Sequence, residues 1–205
     1  SYQNKISYYL GNWPPPLGIE YVIDRISIIP IMIVSVIGLI ATLFAHNFFT
    51  LEIDEKLVSK TYSLWLLTIA GLIGLITTAD AFNLFVFLEI SSLSAVALVA
   101  LGSKVDRKAL VAGYNYLILG AVGATFYVIG VGLLYGVTGT LNMGDLAQKI
   151  PALGLNKSVI VAFTFMMLGI MVKAAVFPLH IWLPNAYAYA PSPVSVLLAA
   201  TATKV

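Results

Sequence analysis

The sequence predicts an all-α, polytopic transmembrane helical bundle that contains a broken helix. Three observations predict it. The 205-residue chain is 60% hydrophobic and only 10% charged, where a soluble domain carries roughly 25% charge. Its apolar residues gather in runs of about 20, the length that spans ~30 Å of hydrocarbon. Towards its end, two lysine-bearing apolar stretches are joined by HIWLPNAYAYAPSP, a connection with too much proline for continuous helix.

Residues 1–25 read as an interfacial, extracytoplasmic entry segment. Tyr8, Tyr9 and Trp13 suit an aromatic belt, and Pro14, Pro15 and Pro16 forbid helix there. A charged stretch followed by an apolar core, the mark of a secretory signal, is not visible. Residues 26–205 read as the transmembrane region, with segments at 26–45, 61–79, 81–101, 109–137, 158–183 and 191–205. The polar stretch HNFFTLEIDEKLVSK separates the first two, and Asp80 is expected to cap the third. Gly132 and Gly136 in the fourth have the spacing that lets helices approach closely. Residues 143–150 are expected to form a short amphipathic helix on the membrane surface. The fifth segment runs from Ser158 towards Phe177 and resumes beyond Pro178. The chain starts without methionine and stops inside an apolar run, so it reads as an interior piece of a longer protein.

Six crossings alternate sides. Lys56, Lys60, Lys104, Arg107 and Lys108 fall on one side, and Lys5, Arg25, Lys149 and Lys157 on the other. The basic cluster at 104–108 places its side in the cytoplasm of a multi-pass cell-membrane protein.

Composition also excludes. The absence of cysteine rules out disulfides, thiolate zinc sites and cysteine-ligated iron–sulfur clusters within this chain. His46 and His180 are too far apart in sequence to found a metal or haem site. The net charge is only +2, and no basic cluster suits nucleic acid. No nucleophile–base pair or nucleotide loop is visible, so neither a cofactor nor a catalytic redox centre is expected. Any redox chemistry belongs to partner subunits.

The informative residues are the charges inside apolar segments: Glu89, Lys173 and Lys204. An ionisable residue at membrane depth costs roughly 3 kcal/mol or more and marks a functional site by default. Glu89 sits eight residues after Ala81 and is too short to snorkel well. Its bland alternative is a protonated carboxyl bonded to a neighbouring helix. Lys173 has a stronger one. If its helix ends at Pro178, the ammonium lies about 7 Å from that end and snorkels to water. Against this, Gly169 lies one turn earlier and makes room for a partner. Lys204 lies 13 residues beyond Pro191, about 20 Å into a helix starting there. His180 at the break is either a hydrogen-bonded residue or a proton relay, for which an ordinary pKa near 6.5 is suited. Ser91, Ser92 and Ser94 read as interhelical packing. Trp13, Trp65 and Trp182 read as interfacial or packing aromatics.

Several stretches resemble the antiporter-like membrane subunits shared by respiratory complex I, Mrp-type cation/proton antiporters and membrane-bound hydrogenases. GNWPPPLGIEYVIDRIS resembles the entry to that family's third helix. TADAFNLFVFLEISSLSAVALVALG resembles its fifth, whose glutamate falls on Glu89. TGTLNMGDLA resembles the connection that follows, and MVKAAVFPLHIWLPNAYAYAPSPVSVLLAATATKV the seventh and eighth helices, whose lysines fall on Lys173 and Lys204. One departure is Tyr187, where the family often has histidine.

The resemblance implies an inverted-repeat fold of about fourteen helices, of which this chain holds the third to the start of the eighth. It also implies partner membrane subunits in a large complex and an ion-translocating role, with protons carried and sodium exchange left open. Glu89 and Lys173 would pair, and Lys173 would pass protons towards Lys204, with His180 nearby. The physics is consistent. Desolvation disfavours a buried ammonium, and a carboxylate at 4 Å restores ~4 kcal/mol at an effective dielectric of 20. Making and breaking the pair then switches the lysine between holding and releasing a proton. The competing reading is a scaffold that keeps the fold and moves no ions.

Overall fold

The computed structural model describes residues 5–154 and 156–204. Residues 1–4, 155 and 205 lie outside the described residues. With them go the first four positions of the expected entry segment, one position of the 138–157 connection and the last of the 191–205 segment.

The entry segment is a β-hairpin, which the sequence reading missed. Strands β1 (Ile6–Tyr9) and β2 (Glu20–Ile23) pair antiparallel, with Ile6 opposite Ile23 and Tyr9 opposite Glu20. Their signal is present in hindsight: ISYY and EYVI are rich in β-branched and aromatic residues. The loop between them turns through Gly11 and Asn12, both at positive φ (61° and 62°), a region that glycine and asparagine tolerate.

Four helices follow, each long and apolar enough to cross a membrane: α1 (Arg25–Glu52), α2 (Glu55–Thr77), α3 (Ala81–Ala100) and α4 (Lys108–Thr138). Asp24 starts α1 with a capping box. Its carboxylate accepts from the amides of Ile26 and Ser27, and the Ser27 hydroxyl accepts from the Asp24 amide. Asp80 caps α3 as expected, accepting from the Asn83 amide at 2.7 Å.

The polar loop expected over 46–60 is a correction. The helix α1 continues to Glu52, and α2 begins at Glu55. The buried face explains it. Ala41, Ala45 and Phe49 are buried at helical spacing, and Phe49 meets Tyr62 and Trp65 edge-on at 5.3 and 5.5 Å. Packing against α2 therefore continues past Ala45 despite the polar composition.

The rest of the chain is α5 (Met143–Ala152), α6 (Lys157–Lys173), α7 (Trp182–Tyr189) and α8 (Ser192–Ala200). Helix α5 is the expected short amphipathic element, with Leu146 buried and Lys149 bridged to Asp145 at 2.9 Å on its polar side. That bridge holds the Asp145 carboxyl below the usual carboxylate range. Helix α6 is about 25 Å long and α7 about 12 Å. The expected fifth segment is thus two helices with a break between them.

Helices α4 and α6 pack backbone to backbone. A methyl group built on Gly169 would lie 2.5 Å from the Gly123 carbonyl oxygen, and one on Gly130 would lie 2.6 Å from the Ala162 carbonyl oxygen. This seam replaces the expected one, because Gly132 and Gly136 have nothing within 4 Å of such a methyl. It also reassigns Gly169, which makes room for the α4 backbone rather than for a partner of Lys173. Gly169→Val should prise α4 from α6. The two nearest obstructing atoms, the Gly123 carbonyl oxygen and the Tyr127 amide nitrogen, are backbone and cannot yield, so overpacking at the upper end of the roughly 1–3 kcal/mol range is expected. A thermal-melting midpoint of the purified assembly equal to wild type would refute this contact.

The connections sort to two ends. At one, Lys104 donates to the carbonyls of Leu51 and Ile53 (3.3 and 2.9 Å), and the Glu52 carboxylate accepts from the Ser192 amide and hydroxyl at 2.6 Å. That carboxylate sits at the positive N-terminus of α8. At the other end Glu20 is buried and accepts from Asn142 Nδ2 at 3.0 Å, tying the hairpin to the start of α5.

Candidate functional site

The site is built by the way α6 ends. Pro178 has no amide hydrogen and disfavours helix in the residue before it. The helix stops four residues earlier than the expected end at Phe177. Ala175 takes the left-handed conformation at φ 53°. Its amide donates to the Val172 carbonyl at 3.2 Å, and the Val176 amide donates to the Met171 carbonyl at 2.9 Å. This is a Schellman motif with alanine where glycine is usual. It makes Lys173 the last residue of α6. The ammonium therefore sits at the negative end of a helix dipole, worth typically 0.3–1 kcal/mol to a cation.

Lys173 does not reach out to water. Its side chain is 11% exposed, and Nζ donates to Glu89 Oε1 at 3.1 Å and to Ser92 Oγ at 2.8 Å. Glu89 is 26% exposed at its side chain and lies midway along α3. Ser92, one turn on, spends its own proton on the Leu88 carbonyl at 2.7 Å. Towards Lys173 its oxygen is therefore purely an acceptor. The partner helix is α3, while α4 closes the site with Gly120. A methyl group there would approach Nζ to 3.6 Å, an ordinary contact.

Trp182 opens α7 and plugs the broken end. It is buried, stacks on Tyr116 at 4.2 Å and 9°, and its indole N–H donates to the Val172 carbonyl at 3.1 Å. The sequence reading took it for a generic aromatic. Its signal, a tryptophan four residues after the proline that breaks the helix, is visible only once the break is placed.

The other expected residues fall elsewhere. His180 lies in the break, tilted against Phe177 at 5.6 Å, and its buried Nδ1 has no hydrogen-bond partner among the described residues. The hydrogen-bonded histidine expected there is not observed at that nitrogen, and no hydrogen bond joins it to Lys173 or Glu89 among the described residues. Lys204 is corrected more fully. Helix α8 ends at Ala200, Thr201 leaves helical geometry at φ −124°, and residues 201–204 form turns. Lys204 is exposed, donating to the Ala199 carbonyl and to Thr203 Oγ1 (2.8 Å), rather than buried about 20 Å into a helix. Tyr187 donates its hydroxyl to the Leu198 carbonyl at 3.1 Å and so joins α7 to α8.

Two small chambers adjoin the pair. One of about 10 Å³ is bounded by Glu89, Gly120, Ser92 and Tyr116. The other, about 40 Å³, is bounded by Lys173, Thr68, Ser91, Ser92, Tyr116 and Ala202. A water needs roughly 10–15 Å³ and two to four polar partners, so the second chamber admits water. A further cavity of about 620 Å³ between α4, α5 and α6 is lined by Leu134, Leu146, Ile150 and Phe163. None of the described residues that line it is ionisable.

A half-buried carboxylate–ammonium pair beside a broken helix, in a bundle with four helices long and apolar enough to cross a membrane, defines the chain as a polytopic membrane protein. The chain matches the family described as NADH:quinone oxidoreductase/Mrp antiporter, TM, over residues 78–205, and it belongs to that family. It is 48% identical over 198 residues to NADH-quinone oxidoreductase subunit N of Desulforudis audaxviator, covering 97% of this chain and 39% of that protein. It is 38% identical to a subunit of a probable K(+)/H(+) antiporter of Rhizobium meliloti, covering 92% of this chain and 34% of that protein. The fold matches a chain of the archaeal membrane-bound sulfane sulfur reductase with a TM-score of 0.86 and 38% identity, over 96% of this chain and 39% of that one. The chain thus spans between about a third and two fifths of the length of these relatives.

Proposed function

We propose that this chain is an ion-translocating, antiporter-like part of a multi-subunit membrane complex, and that its Glu89–Lys173 pair handles the proton. The observation that carries the reading is the pair itself: two charges from α3 and α6, held at 3.1 Å inside an apolar bundle. A scaffold has no use for such a pair, since a hydrophobic replacement of equal volume is often neutral or stabilising. Opening the pair removes the carboxylate that offsets desolvation of the ammonium, and Lys173 then gives up its proton to the adjoining chamber. Lys204 and His180 remain candidate onward steps. Lys204 receives the proton only if residues 201–204 rearrange from the turn seen here. The end bearing Lys104 and Lys108 faces the cytoplasm under the positive-inside rule.

The test is cation-induced pH change in inverted membrane vesicles containing the intact parent complex. Alkalinisation or acidification that follows added sodium or potassium identifies the exchanged ion. A signal unaltered by changes at Lys173 returns the chain to the scaffold reading.

A further inference from the structure

The two chambers beside the ion pair are lined by different charges. Glu89 bounds only the smaller, and Lys173 only the larger. Two polar side chains bound both: Ser92 of α3 and Tyr116 of α4. Of these, Ser92 touches the ammonium, and its 2.8 Å contact is shorter than the 3.1 Å contact from Glu89. The lysine is therefore held at two points of one helix face, three residues apart.

We propose that Ser92 is the positioning residue of the translocating lysine, retaining the Lys173 ammonium at the wall between the chambers when the contact with Glu89 opens. The inference rests on the role of Lys173 proposed above and deepens it. The hydroxyl suits the task. It is neutral, so it holds the ammonium without competing with Glu89 for charge. Its own proton is fixed on the Leu88 carbonyl, which leaves its lone pairs towards Nζ. An ammonium has three donors, and with Glu89 and Ser92 taking two, the third is left for the chamber that admits water. Without Ser92, opening of the pair would free the long lysine side chain, and release of the proton would no longer be directed into that chamber. Among the described residues, the side-chain hydrogen bonds of Ser92 go to Lys173 and to the carbonyls of its own helix.

The test compares Ser92→Ala, Ser92→Thr and Lys173→Ala in the intact complex, each checked for assembly, by initial rates of cation-driven pH change in inverted vesicles. Ser92→Ala should slow transport about tenfold, the scale of one hydrogen bond to a charged group. Ser92→Thr should recover most of the rate, because threonine keeps the hydroxyl and bonds the i−4 carbonyl in the same way. A packing role predicts the opposite order, with alanine tolerated and the larger threonine harmful. A rate in Ser92→Ala equal to wild type, or a threonine variant no better than alanine, overturns the positioning role while Lys173→Ala remains inactive. Full transport in Lys173→Ala overturns the underlying relay reading instead.

Discussion

Lys173→Ala should lower cation-driven proton movement at least ~tenfold, equivalent to ~1.4 kcal/mol, while the complex still assembles. The two halves of this expectation have separate causes. Assembly survives because Lys173 is the terminal residue of α6, alanine is a strong helix former, and the Schellman bonds closing the helix are all backbone. The Glu89 carboxylate left behind is 26% exposed, so it can be hydrated or protonated rather than stranded. Transport fails because Lys173 is the one basic group bounding the larger chamber among the described residues. Lys173→Arg separates the remaining explanations. Arginine keeps the positive charge and pairs well with carboxylate, but it does not deprotonate in proteins. If release of a proton is the function, the arginine variant assembles at least as well as alanine and is equally inactive. If a fixed charge suffices, arginine restores transport and the relay role of Lys173 is lost. The measurement is the initial rate of pH change in inverted vesicles, normalised to assembled complex.

The bundle was legible in the sequence because lipid-spanning helices announce themselves by length and apolarity. Glu89 and Lys173 were legible because charge is conspicuous against that background. Their pairing needed the family resemblance, since nothing local joins residues 84 positions apart. Four features stayed hidden for physical reasons. The hairpin was masked by a stretch whose aromatics and prolines served an interfacial reading equally well. The α4–α6 seam was misplaced because glycine spacing is common, and only the close approach at Gly123, Gly130 and Gly169 distinguishes contact from open space. Lys204 was misplaced because a helix starting near Pro191 was extrapolated through Thr201, where the chain turns. Ser92 read as interhelical packing, like Ser91 and Ser94, because a serine in a membrane helix satisfies itself on its own backbone. What distinguishes it from Ser91 and Ser94 is its position three residues after Glu89, on the face that meets α6.

Glu89→Gln should impair transport more than Asp80→Asn, although both remove one carboxylate from the same helix. Asp80 works as an N-cap, and asparagine caps nearly as well as aspartate, so its amide replacement leaves the Asn83 bond in place and the rate near wild type. Glutamine at 89 preserves shape but removes the charge that offsets desolvation of Lys173. At an effective dielectric of 20 that attraction is ~4 kcal/mol, so even a partial loss exceeds the tenfold scale of ~1.4 kcal/mol. The two defects at the pair should not add. Glu89→Gln combined with Lys173→Ala should transport no worse than Lys173→Ala alone, because a carboxylate that acts only through the lysine has nothing left to act on. An additive double variant would mean that Glu89 serves a second path. A larger defect from Asp80→Asn than from Glu89→Gln would move the functional carboxylate to the N-terminal end of α3, beside Tyr21 and Asn83, and leave the Glu89–Lys173 pair as a structural contact.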